Sequence, residues 1–402
     1  MRSAIIALTI GTMLTVEQHD AHRTGLDPPT SAVSADGRFV AFVTHAQLVS
    51  ADADLAGDVY VLDRVRQHVT LESADTPGDE GDTISPGISG DGRFVVFQQG
   101  DAILLRDRRT QATNIVGKGR QPSISDNGSI VVFASGSFSR ASDADVNGAL
   151  DDVFWVDVRT GLARRISIDL NGLDASQTVS VNPASSSDGR YVAFTSRLQA
   201  AGRRGGPPHL FVRDTVNNVT SSVGEGWDPS MSGDGRLIAF VRLSSQVPHI
   251  FLTNLQTGHT QIITRSVRRG LANGASAKPA FSSDGRFVVF QSEASDLVKG
   301  EDDNLLWDVF LYDRTTNTIA RVSGDRGEAW MEPSVGPSID ANGSVIAFSS
   351  RHPTDAADKN NDFDLYVATV SSFDTEAAKM NKKGATAVSD RRPFVSNLGF
   401  RK

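Results

Sequence analysis

The sequence predicts an all-β chain folded as a seven-bladed β-propeller of four-stranded antiparallel blades, its ring closed by an N-terminal strand. Three observations predict it. A seven-residue phrase recurs seven times: DGRFVAF (36–42), DGRFVVF (91–97), NGSIVVF (127–133), DGRYVAF (188–194), DGRLIAF (234–240), DGRFVVF (284–290) and NGSVIAF (342–348). The copies stand about 50 residues apart, the period of a blade built from four short strands. The two ends of the repeat are complementary, the last unit lacking a fourth strand and a spare strand preceding the first.

Within a unit the elements follow in order. A short Ser-rich first strand opens at Pro86, Pro122, Pro183, Pro229, Pro279 or Pro337, five residues before the Asp or Asn, and unit one has Ser31 there instead. The Asp-Gly or Asn-Gly pair makes a tight turn that needs positive φ. The second strand alternates polar and apolar residues and ends in Phe42, Phe97, Phe133, Phe194, Phe240, Phe290 or Phe348. Large apolar side chains in register fill the gaps between blades. The third strand reads DVYVLD (58–63), DVFLYD (308–313) and equivalents, and the fourth follows a turn such as RTG (159–161). Unit two is the shortest, 36 residues separating its phrase from the next, and reads as a possible reduced blade. The last unit ends after DLYVATV, and MLTVEQ (13–18) matches the fourth-strand string HVTLES (68–73). An N-terminal strand completing the last blade removes exposed sheet edges. The expected domains are therefore 1–12 as an N-terminal segment, 13–370 as the propeller and 371–402 as a tail without repeats, for which disorder is the default. Arg2 and the apolar run from Ala4 to Leu14 resemble a short secretory signal, and cleaving it conflicts with using residues 13–18 as a strand.

Composition excludes several classes. The net charge of −8 argues against a nucleic-acid partner, since phosphate binding needs clustered Lys and Arg. Arg203–Arg204 and Arg268–Arg269 read as solvated loop charges. The absence of cysteine excludes disulfides, thiolate metal sites and a cysteine nucleophile. No stretch approaches a membrane span of ~20 apolar residues.

The strings PGISGDGRFVVF (86–97), PSMSGDGRLIAF (229–240) and PAFSSDGRFVVF (279–290) resemble the WD-like propeller repeat of TolB and its relatives, P-x-x-S-x-D-G-x-x-[IV]-[AV]-F, over roughly residues 13–370. TolB differs in having six blades and a separate N-terminal domain. The resemblance is closer to bacterial proteins made of this propeller alone, which implies a periplasmic or secreted setting. Prolyl-oligopeptidase-type enzymes carry similar propellers beside a hydrolase domain. No G-x-S-x-G elbow occurs here, and the residues after the last blade are too few for an α/β-hydrolase.

Three groups of residues carry candidate chemistry, all on the face bearing the long loops. Asp143, Asp145, Asn147 and Asp151, with Gly148 to permit the bend, place oxygen ligands in a calcium-like pattern. Other acidic loops lie at 50–58, 299–308 and 355–364, and the bland alternative is a solvated turn. His209 and His249 occupy equivalent third-strand positions in adjacent units and suit a metal or shared acid–base work, or simply satisfy loop groups. The residues before the first-strand prolines, among them Gln121, Asn182, Asp228 and Lys278, with Trp227 and Trp330, form a polar and aromatic channel mouth. Such a mouth suits a peptide, a sugar or a small ligand, or ordinary hydration. The expected function is a non-enzymatic, monomeric platform for a protein or peptide, with calcium-ordered loops. The alternatives are a hydrolase or lyase at the channel mouth and a carbohydrate-binding propeller.

Overall fold

In a computed structural model of the chain, the described residues are 13–16, 30–52, 56–74, 83–138, 150–168, 178–198, 206–299, 304–324, 330–353 and 363–370. They form seven four-stranded antiparallel sheets. Six sheets run in chain order, as in Ser31–Val33, Phe39–Thr44, Asp58–Asp63 and His68–Leu71 of blade one. Blade two is complete, with Thr83–Ile88, Phe94–Gln99, Ala102–Asp107 and Ala112–Lys118. Its brevity comes from one-turn connections in place of long loops. Blade seven takes its outer strand from the N-terminus: Met13–Val16 pairs with Asp364–Thr369, Met13 opposite Ala368 and Val16 opposite Leu365.

The first strands of neighbouring blades pack on one another all the way round, and therefore line the central channel. Each pairs with a second strand on one side only, so its other edge faces the channel. The phenylalanines that end the recurring phrase are buried. Phe290 stacks on Phe310 across the strand pair at 5.8 Å, and Phe240 on Phe251 at the same distance. These pairs also face the next blade: Phe290 and Phe310 share a core with Val241, Ile250 and Leu252 of blade five.

The Asp-Gly turn is built differently from a two-residue hairpin. Only the glycine is left-handed, at φ 69° in Gly37 and 70° in Gly92. Gly37 N–H donates to the Ser34 carbonyl at 2.9 Å, and the Asp36 carboxylate accepts from Ser34 Oγ and Arg38 N–H. The Asx and serine side chains thus close a wider loop. At this end the blades are sewn together by a belt of backbone hydrogen bonds. Ala35 N–H donates to Gly90 O at 3.0 Å, Gly90 to Asp126 at 2.8 Å, Asn127 to Ser187 at 3.4 Å and Ser187 to Gly233 at 3.0 Å. Gly233 then donates to Ser283 at 2.9 Å, Asp284 to Ala341 at 2.9 Å, and Ala341 to Ala35 at 3.1 Å, which completes the circle.

Candidate functional site at the channel mouth

Proline shapes the mouth. It has no N–H to give the second strand, so the ladder is interrupted and the first strand bulges. The register shifts between Ile84 and Gly87, Arg120 and Ser123, Val181 and Ala184, Trp227 and Ser230, Ala277 and Ala280, and Val335 and Ser338. In blade one, with Ser31 in place of proline, pairing starts at Ser31 opposite Phe42. The residue before each proline takes the left-handed conformation: Ser85 (φ 54°), Gln121 (55°), Asn182 (53°), Asp228 (55°), Lys278 (51°) and Gly336 (64°). For a non-glycine residue that costs about 1–2 kcal/mol, and bulges re-aim side chains. One level of the ring therefore holds the same left-handed backbone six times, strained at the five non-glycine positions, with a different residue each time.

Neighbouring blades are linked at this level. Asn182 N–H donates to Gln121 Oε1 at 3.0 Å, and Gly336 N–H to Gln291 Oε1 at 2.9 Å. Lys278 Nζ lies 3.6 Å from Asp228 Oδ1. Gln121 and Lys278 are exposed, while Asn182, Asp228 and Trp227 are half-buried. The structure thus brings together four of the residues expected at the mouth, in the pairs Gln121–Asn182 and Asp228–Lys278.

Other candidates are placed elsewhere. His249 is buried in the third strand of its blade, two strands out from the channel. Its Nδ1 lies 3.1 Å from Thr264 Oγ1, which also accepts Ile250 N–H at 3.2 Å. In blades three and six the same position is an aspartate bonded to a serine two residues past the fourth strand, Asp152 with Ser167 at 2.7 Å and Asp308 with Ser323 at 2.6 Å. Histidine and threonine thus replace a structural Asp–Ser pair, and burial pushes the imidazole's pKa down. His209 is half-buried at the start of its own third strand, opposite Ser196 and Glu225.

Trp330 is not an open aromatic surface. It is 7% exposed, packed on Tyr366 at 4.8 Å and stacked under His352 at 4.3 Å and 5°. His352 Nδ1 is held by Glu332 Oε2 at 3.1 Å. Asp151 forms an ion pair with Arg120, whereas Asp143, Asp145 and Asn147 lie outside the described residues. Among the described residues, no group of three or more His, Asp or Glu is placed to hold a metal ion.

The opposite face is committed to structure. Arg38, Arg93, Arg190 and Arg286 of the DGR strings pair with Asp63, Asp107, Asp214 and Asp313 at 2.7–2.8 Å. Each also lies over the aromatic ring that follows it.

Two features escaped sequence reasoning. The Glu332–His352 pair joins two loops whose approach no local pattern announces. Asp126 was legible in principle: it is the one charged residue among seven equivalents, Ala35, Gly90, Asp126, Ser187, Gly233, Ser283 and Ala341.

No protein-family model matches the chain, and no curated protein sequence matches it. Solved structures do. An oligogalacturonate lyase from Vibrio parahaemolyticus is 14% identical with a TM-score of 0.55, over 92% of this chain and 99% of that one. The propeller domain of the trilobed protease from Pyrococcus furiosus is 10% identical with a TM-score of 0.55, over 87% of this chain and 98% of that one. A TolB from Agrobacterium tumefaciens is 19% identical with a TM-score of 0.43, over 64% of this chain and 84% of that one. At these identities the likeness to the lyase and to the protease propeller establishes the propeller fold and nothing finer. Among the described residues no helix is long and apolar enough to cross a membrane.

Proposed function

We propose that this chain is a non-enzymatic binding platform that takes a protein or peptide segment at the channel mouth on its loop-bearing face. The observation carrying this reading is the ring of left-handed residues before the prolines. Its backbone is the same in six blades while its side chains run Ser, Gln, Asn, Asp, Lys and Gly. A purely structural device would repeat its side chain, as the buried phenylalanines do. Strain held at one place with varied polar groups suits recognition. The channel-lining strand edges add backbone donors and acceptors, which suit an extended chain. Calcium ordering the 143–151 loop belongs to the same proposal, with Asp151 shared between the ion and Arg120.

The enzymatic alternative needs Asp228, Lys278, His209 and His249 together. Asp228 and Lys278 meet, but His249 is enclosed in its blade. A random-peptide display selection against the protein, run in calcium and in chelator, tests the platform. Selected peptides should lose at least tenfold in affinity to Lys278→Glu and to Gln121→Ala, and keep it with Arg236→Ala on the opposite face. Peptides insensitive to both mouth substitutions would refute the site. Equal selection in chelator would remove calcium from it.

A further inference from the structure

The channel has two unequal ends. At the loop end the strands are bulged and carry the polar ring. At the turn end the seven-blade belt draws the chain together until little space remains. A Cβ on Gly233 would stand 2.5 Å from Ser187 Oγ and 2.7 Å from the Ser283 carbonyl, so no side chain fits there. A Cβ on Gly90 would touch Ala35 and Asp126 at 3.1 Å. Across this floor lies the carboxylate of Asp126, from blade three. Its Oδ2 accepts hydrogen bonds from Ser187 Oγ of blade four and from Ser283 Oγ of blade six, the latter at 3.1 Å. A side chain that reaches the third blade on from its own spans the channel. Asp126 is half-buried and has no basic partner among the described residues, in contrast to the arginine-paired aspartates around it.

Resting on the platform reading above, we infer that the channel is a one-ended socket, entered from the loop face, which seats the amine-bearing end of an unbranched chain against Asp126. Three properties select that ligand. The walls are inner edges of first strands, which offer backbone donors and acceptors to an extended chain. The floor is too narrow for a branched or aromatic group. A half-buried carboxylate, bonded by two hydroxyls but not neutralised, favours a cation that can donate to it. An ammonium is compact and carries three donors. Five residues separate Gln121 at the mouth from Asp126, roughly 16 Å of strand, which an extended chain of about five residues spans. The ammonium belongs either to a chain N-terminus or to an alkylamine such as a lysine side chain.

The test uses the full chain and calorimetric titration with three probes: pentaglycine amide, its N-acetyl form and n-hexylamine. The free-amine pentapeptide should bind saturably, acetylation should weaken it at least tenfold, and Asp126→Asn should weaken it to the same degree without a further effect of acetylation. Hexylamine binding much more tightly than the pentapeptide, with the same dependence on Asp126, assigns an alkylamine, and the reverse order assigns a peptide terminus. Asn keeps an oxygen for the two serines, and equal melting temperatures would exclude misfolding. Ser283→Ala, which removes a hydroxyl and leaves the carboxylate, should retain binding. Failure of the free-amine probes to bind, or binding unaffected by acetylation and by Asp126→Asn, overturns the socket. If displayed peptides still depend on Lys278 and Gln121 in that event, the mouth reading stands without it.

Discussion

Arginine at the third position of the DGR phrase has the same two tasks in four blades. Arg93 donates through Nε and Nη2 to both oxygens of Asp107, at 3.0 and 2.7 Å, while its guanidinium covers the Phe94 ring at 4.5 Å. Two parallel charge-assisted bonds are geometrically exacting, so the strand-ending aspartate is held in one orientation. It then caps the next turn, accepting Arg109 N–H at 3.0 Å. The Arg93 bond holds the Asp107 carboxyl below its ordinary value of 3.8, at about 2. A folded-state pKa below the unfolded one means the contribution is present above about pH 4 and fades as pH falls toward 2. Asp63, Asp214 and Asp313 shift in the same direction. Melting temperature measured against pH should therefore fall between pH 4 and pH 2. Arg93→Gln should melt lower than the parent at pH 7, and the two curves should converge near pH 2. A gap that stays constant down to pH 2 would separate the pair from acid stability.

At the scale of the strand pair, aromatic register decides packing. Residues opposite one another in neighbouring strands point to the same side, so Phe290 and Phe310, partners in the ladder, stack at 5.8 Å with 21° between planes. Both are wholly buried against blade five. Truncation leaves a cavity that two blades must share, and rigid sheets relax poorly into it. Phe290→Ala should cost about 3–5 kcal/mol of unfolding free energy, read from urea denaturation. A cost under about 1 kcal/mol would mean that the blades slide to fill the gap. Turn glycines separate on similar grounds. Gly92 and Gly161 have φ of 70° and 71°, but a Cβ at Gly92 would lie 2.1 Å from the Phe39 ring, whereas at Gly161 it meets nothing. Only the first packs one blade's turn against another blade's ring.

Across the whole molecule, closure is what turns seven marginal sheets into one fold. Blade seven has three strands of its own, and Met13–Val16 supplies the fourth. Without that strand, Asp364–Thr369 becomes an open edge, which invites pairing with other chains. Repeat arrays gain their stability from neighbour interfaces, and the belt at the turn face already joins blade seven to blade one through Ala341 and Ala35. A chain lacking residues 1–16 should therefore still fold, melt several degrees lower, and self-associate in sedimentation experiments. A monomeric truncation with an unchanged melting temperature would show that the belt alone closes the ring.

Local, repeated chemistry was legible without coordinates. Blade number, the four strands of each blade, the turn glycines and the N-terminal closing strand all follow from patterns a few residues long, because a strand or turn is specified by its neighbours in sequence. The positions before the prolines were also recognisable as a set, since proline's missing N–H acts locally. What tertiary structure decided is how equivalent positions differ. His249 looks like a partner for His209 in a linear alignment, yet Thr264, fifteen residues on, makes it a stand-in for a buried aspartate. Asp151 belongs to an acidic string, but Arg120 reaches it across the blade. Trp330 precedes a first strand and is nevertheless sealed beneath His352. Asp126 is one residue in a turn until the ring brings Ser187 and Ser283 onto it. The physical reason is range. Strand and turn propensities act over a handful of residues, whereas burial, charge pairing and the shape of the channel depend on groups that only the closed ring of seven blades places side by side.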